Sequence, residues 1–179
     1  MIGNASGPDS LMALAAELGE ACVDRGWRIV CGGLGGVMRA VGEGARRSAR
    51  ASGGDVVGLL PTLDPSTANP FVDVAIPTGL QHGRNTLVVS SGDVVVALGG
   101  GAGTLSELAL AWQMDKPIVA LTGEPGWAAT LAGQALDHRR SDRIHEAATV
   151  DEAVDRVAEL LKKSPNAWAA FSKGGTPKD

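Results

Sequence analysis

Val94-Val95-Val96-Ala97-Leu98-Gly99-Gly100-Gly101-Ala102-Gly103-Thr104-Leu105-Ser106-Glu107 decides how this chain folds. An apolar run without polar alternation is what a strand carries when both of its faces are covered. The glycines that follow allow a tight crossover. Leu105, Leu108, Ala109 and Trp112 then recur at helical spacing. Buried strand, glycine turn and amphipathic helix make one βα unit of a parallel sheet.

The pattern repeats on both sides. Met1-Ile2 precedes Gly3-Asn4-Ala5-Ser6-Gly7-Pro8, so the first strand is either very short or begins upstream. Asp9 or Ser10 can cap a helix with Leu11, Leu14, Ala15, Leu18 and Cys22 on one stripe. Trp27 to Cys31 reads as a strand. The cluster Gly32–Gly36 leads into a helix with Val37, Val41, Ala45 and Ala49 inward, and Arg39, Glu43, Arg46, Arg47 and Arg50 on a solvated face. Strands are expected at 55–60 and 72–76, around a polar loop at 62–71, and residues 80–91 are predicted helical. Further on come a strand at 117–121, a helix over 126–137, a short strand at 144–147 and a helix at 150–163. The expected fold is α/β, a three-layer doubly wound parallel sheet. It fills a single domain, 1–164, with 165–179 as a mobile C-terminal tail.

Composition narrows the function. A 179-residue chain suits one domain, and 44% apolar residues are enough for a core. With 20% charged residues it is no disordered solvating chain. The net charge of −4 argues against a surface that coats nucleic acid, though not against a local basic pocket. Four Trp, two Phe and no Tyr leave little on which bases could stack. Cys22 and Cys31 lie in apolar surroundings and read as reduced core residues of a cytoplasmic protein. No run reaches membrane-span length. The expected partner is therefore a small molecule, with neither nucleic acid nor membrane.

In doubly wound sheets ligands bind beyond the carboxyl ends of the strands, where the glycine clusters after Cys31 and Leu98 fall. Gly99, Gly100, Gly101, Ala102, Gly103 and Thr104 join strand to helix without bulky Cβ atoms. Their amides and the helix dipole favour an anion, phosphate first, with the Thr104 hydroxyl as a further donor. A purely steric turn uses glycine too, but so many glycines together weigh toward phosphate. Glu107 lies about 200° around the helix from Leu105 at about 100° per residue, away from the inward stripe and toward cleft or solvent. Thr104-Leu105-Ser106-Glu107 is also a capping box, and one carboxylate cannot cap the helix and face a ligand at once. Leu80, Arg84, Leu87, Val88 and Ser91 share one helical face. An arginine there either meets an anion or snorkels to water. His82 is given a minor role.

Gly32–Gly36 lacks the G-x-G-x-x-G spacing, since Met38 takes the last place. There is no Walker loop, no metal-ligand spacing and no nucleophile elbow. The basic run His138, Arg139, Arg140 and Arg143 reads as solvated surface.

Gly32-Gly33 with Gly36-Val37-Met38, Arg84, Asp93 and the run Gly100 to Glu107 resemble the LOG (LONELY GUY) family, once labelled lysine decarboxylases. That family pairs Met-x-x-Arg-Lys with Pro-Gly-Gly-x-Gly-Thr-x-x-Glu, and the spacing from Arg84 to Glu107 keeps its register. The resemblance covers residues 3–163. It implies a Rossmann-like homodimer that hydrolyses nucleoside 5′-monophosphates to free base and ribose 5-phosphate, with no metal or organic cofactor required. Arg84 and Glu107 would be the catalytic pair. The phosphate or ligand set would comprise Gly3, Asn4, Ala5, Gly32, Gly33, Gly36, Met38, Asn85 and the stretch Gly99 to Thr104. The apolar face of helix 103–114 around Trp112 also suggests the dimer.

The chain departs from the pattern in three places. Gly99 replaces the motif proline, Asn85 replaces the lysine after the arginine, and Gly79-Leu80 stands where the methionine segment belongs. These versions are similar to the branch that includes molybdenum cofactor carrier proteins. In that alternative the cleft holds the molybdenum cofactor, a phosphorylated pterin, or a nucleotide without cleaving it. The old decarboxylase label finds no support, because the only lysine before residue 162 is Lys116, just ahead of a strand.

Overall fold

Strands form where Val, Ile, Leu and Ala run together, and helices where apolar residues recur every third or fourth position. The computed structural model describes residues 1–163, so the expected tail at 165–179 lies outside the described residues. In chain order the elements are β1 (Ile2–Gly3), α1 (Asp9–Asp24), β2 (Ile29–Cys31), α2 (Val37–Ala45), β3 (Val56–Leu60) and β4 (Val74–Pro77). Then follow α3 (Arg84–Ser91), β5 (Val95–Leu98), α4 (Ala102–Gln113), β6 (Ile118–Leu121), α5 (Trp127–Leu131), β7 (His145–Ala147) and α6 (Val150–Lys163). Every pairing among them is parallel. One ladder runs β1-β5-β6-β7 and the other β2-β3-β4.

The period-2 geometry of β5 distributes its side chains to two cores. Val96 and Leu98 meet α1, α2 and α6 through Leu11, Leu18, Val41 and Val154. Val95 and Ala97 meet α3, α4 and α5 through Val88, Leu108, Trp112 and Ala128. That gives three layers and the doubly wound α/β fold. β5 and β6, in register from Val95↔Ile118 to Leu98↔Leu121, are buried throughout. On one face α1 and α2 touch backbone to backbone: a Cβ on Gly19 would run into the Val41 carbonyl, and one on Gly44 into the Ala16 carbonyl.

Several expected boundaries move. Trp27 and Arg28 precede β2 rather than belonging to it. β4 begins at Val74, because Val72 is still held in a turn by its bond to Asn69 O (3.2 Å). Residues 80–91 are not one helix. Gln81 lies at φ 50, and a short 3-10 turn over Gln81–Gly83 precedes α3. The supposed inward face of that stretch holds only at Val88, which is buried; Leu80 and Leu87 are exposed, while Asn85 and Val89, outside that face, are buried. α2 ends at Ala45, leaving Ala49 exposed in a turn. α1 starts after Pro8 with no side-chain cap from Asp9 or Ser10. The helix expected over 126–137 stops at Leu131, because Ala132 turns extended and Gly133 takes φ 73 to bond Ile144 O (2.9 Å). Trp112 offers no face to a second chain. It is 1% exposed, packed in its own core, with its indole N–H donated to Asp137 (2.9 Å). No helix among the described residues is long and apolar enough to cross a membrane.

Candidate functional site

At the carboxyl end of β1 and β5 a cleft of about 390 Å³ opens between the loops after β1 and β2, the start of α3 and the first turns of α4. Its floor depends on close backbone approach. The short side chain of Asn4, just past β1, accepts the Gly100 amide and so ties the β1 loop to the β5 crossover. Gly100 and Gly99 lie at φ 105 and φ 56, conformations that glycine adopts without strain. Their carbonyls in turn receive the amides of Trp127 (3.1 Å) and Ala128 (2.8 Å) at the head of α5. With Gly100 committed to Asn4, Gly101 and Gly103 are the glycines of this loop that line the cleft.

α4 starts at Ala102 with Gly101 as its N-cap and no side-chain cap. This settles the two readings of Glu107 against the capping box. Glu107 lies beyond the first turn, too deep to reach back to the helix start. It also corrects the inward stripe: the buried side of α4 carries Thr104, Glu107, Leu108, Ala111 and Trp112, while Leu105 and Ala109 are half-buried. Of the two directions open to Glu107, cleft and solvent, it takes the cleft. Glu107 is 7% exposed and lines the cleft from below.

Facing it is Arg84, the first residue of α3, with Nη1 3.7 Å from Glu107 Oε1. That separation is an ion pair without a hydrogen bond. Burial pushes the Glu107 carboxyl up to about 6, and the Arg84 charge pulls the other way but less. The guanidinium lies over Gly32, where any Cβ would collide with it. The signal in the sequence was the glycine pair after β2. Its first member makes room for an arginine from another element.

The structure brings Gly3, Asn4, Ala5, Gly32, Met38, Arg84, Asn85, Gly101, Gly103, Thr104 and Glu107 to one cleft. Gly33, Gly36, Gly99, Gly100 and Ala102 are not among its lining residues. Gly33 packs on Leu60 and Gly58, and Gly36 backs onto Asn4 and Ala5. Both support the cleft from behind. Sequence reasoning missed Met1, Ile2, Ser6 and Leu34 as lining residues, and His82, given a minor role, lines the cleft too. The proximity of His82 to Arg84 in the chain was the available signal. No group of His, Cys, Asp and Glu among the described residues could hold a metal ion.

The chain matches the SLOG cluster4 family over residues 1–154. It belongs to that family. A cytokinin riboside 5′-monophosphate phosphoribohydrolase from Mycobacterium tuberculosis is 39% identical over 117 residues, which are 61% of this chain and 61% of that one. A molybdenum cofactor carrier protein from Chlamydomonas reinhardtii is 33% identical, with TM-score 0.76 over 90% of this chain and 96% of that one. A molybdenum cofactor binding protein from Rippkaea orientalis is 29% identical, with TM-score 0.77 over 89% and 93%. These likenesses place the SLOG chain in the LOG-like branch that contains molybdenum cofactor carriers.

Proposed function

We propose that the cleft takes a nucleoside 5′-monophosphate and hydrolyses its N-glycosidic bond, releasing free base and ribose 5-phosphate. The observation that carries this reading is the buried Glu107 carboxylate, 3.7 Å from Arg84, in a cleft otherwise suited to an anion. A site meant only to hold a phosphate gains nothing from a carboxylate there, whereas glycosidic cleavage needs one. The phosphate rests at the head of α4, where Gly101 and Gly103 leave room and the helix dipole is positive. The sugar then lies over Glu107 and Arg84. As the bond to the base breaks, positive charge builds on the ring, and Glu107 stabilises it and orients or deprotonates the attacking water. Arg84 holds Glu107 and the sugar hydroxyls. This chemistry asks for no metal or organic cofactor. Only ionised Glu107 can do this work, so turnover rises as pH climbs through about 6.

A second reading, a carrier of phosphorylated pterin, is favoured by Asn85 and Gly99 in place of the lysine and proline of the hydrolase pattern. Solved molybdenum cofactor proteins also resemble the chain over nearly all its length. Incubation with AMP and the other common monophosphates, with free base measured by chromatography, decides between them. Base release that disappears in Glu107→Gln supports the hydrolase. No release from any monophosphate, together with tight binding of the molybdenum cofactor, supports the carrier.

A further inference from the structure

Asn85 is 8% exposed, yet it lines the cleft beside Arg84. The orientation of its amide follows from its neighbours. Ser106 Oγ lies 2.7 Å from the Gly103 carbonyl, an oxygen that can only accept. The Ser106 proton is therefore used there, and Ser106 can only accept from Asn85. Asn85 must turn its NH2 toward Ser106, at 3.0 Å. The carbonyl oxygen Oδ1 is left over. It takes no protein hydrogen bond among the described residues, and it is not a sealed atom without a partner.

We infer that Asn85 is a specificity-determining residue whose Oδ1 accepts a hydrogen bond from a hydroxyl of the ligand's sugar. The inference rests on the hydrolase reading above and adds to it a contact that chooses among phosphorylated ligands. Three features fix the class of group it recognises. Oδ1 is an acceptor held in place, so it demands a polar hydrogen and disfavours an anionic oxygen. Through Ser106 and Gly103, Asn85 is tied to the first turn of α4, where the phosphate rests. The part of the ligand joined directly to phosphate is the sugar. A lysine at this position, as in the LOG pattern, would offer the opposite: only donors and a positive charge. Because the amide is so deeply buried, an unpartnered Oδ1 in the complex is costly, and a ligand lacking the hydroxyl should be rejected.

The test compares kcat/KM for AMP, 2′-deoxy-AMP and 3′-deoxy-AMP in the unaltered protein, Asn85→Leu and Ser106→Ala. The expected result is a preference of about tenfold or more for AMP over at least one deoxy compound, mostly in KM. That preference falls to about threefold or less in Asn85→Leu. Ser106→Ala, an exposed position that leaves Asn85 in place but frees its amide to turn, also narrows the preference. A purely structural Asn85 would lower all three rates by one common factor, and that result overturns the inference even if Asn85→Leu folds poorly, because Ser106→Ala would then leave the ratio intact. Cleavage of AMP with no discrimination in the unaltered protein overturns the inference alone. No cleavage of AMP overturns it together with the hydrolase reading.

Discussion

Two cavities flank the short strand β1, one at each end, and they are nearly the same size. The cleft at the carboxyl end measures about 390 Å³ and gathers Arg84, Glu107, Asn85, Gly101 and Gly103. The cavity at the amino end measures about 430 Å³ and is walled mainly by Cys22, Trp27, Val57, Val89, Val95 and Leu161. Met1 and Ile2 border both. Volume therefore does not distinguish the candidate site from the cavity at the other end. The kind of polar group does: parallel strands aim their crossover loops and helix N-termini at one end only, so free amides and the Arg84–Glu107 pair converge there, while Arg28 and Asp93 border the other cavity. The other end receives helix C-termini and the side chains of the two cores.

Four experiments bear on that contrast. The largest effect is expected from Glu107→Gln, which should lower base release by about 10²–10⁴-fold while the protein still binds the monophosphate. Retained turnover, measured by chromatography of free base, would remove the chemical distinction between the two cavities. Next comes pH. The Glu107 carboxyl is raised from 4.5 to about 6 in the folded chain, so the fold favours its protonated form. The resulting stability is complete below about 4.5 and fades as pH rises through about 6. By linkage the step amounts to about 2 kcal/mol. Denaturant titrations across this window should show the step in the unaltered protein and not in Glu107→Gln; parallel curves would place the carboxylate in water instead.

A smaller and more selective effect should follow Gly103→Ala. A Cβ there meets no protein atom within 4 Å, and alanine is the better helix former, so stability should rise by about 0.5–1 kcal/mol. The methyl group would stand in the phosphate seat and weaken monophosphate binding about tenfold, read by calorimetry. Unchanged affinity would move the phosphate away from α4. Smallest of all is Val57→Ile at the amino-end cavity, which should add about 0.8 kcal/mol by burying one methylene and leave turnover as it was. A change in KM would mean that the two ends of β1 communicate.

How much of this was readable beforehand differs between core and cleft. β5, β6 and α6 were legible because their apolar patterns have one outcome: a run without alternation must be covered on both sides. The choice of Glu107 among cap, solvent and cleft was not. Thr104-Leu105-Ser106-Glu107 fits a capping box in any isolated helix, and only tertiary contacts put the helix start earlier. Asn4 holds Gly100, and α5 rests its amides on the Gly99 and Gly100 carbonyls. The end of α5 was hidden in the same way, since a single left-handed Gly133 redirects a stretch whose composition is helical. Gly32 lines the cleft as expected, but the role of its missing Cβ, making room for the Arg84 guanidinium, was not legible beforehand. The pairing of Asn85 with Ser106 joins two helices far apart in the chain, and no local pattern encodes it.

The contact of α1 with α2 has a mechanical corollary. Where Gly19 and Gly44 bring two helix backbones together, no layer of side chains remains to shear. The pair acts as a stiff double beam, and the Met38 wall of the cleft hangs from it. Adjustment to a bulkier or flatter guest would then fall on the opposite bank, where Gly79 and Gln81 both take left-handed backbones shortly before Arg84.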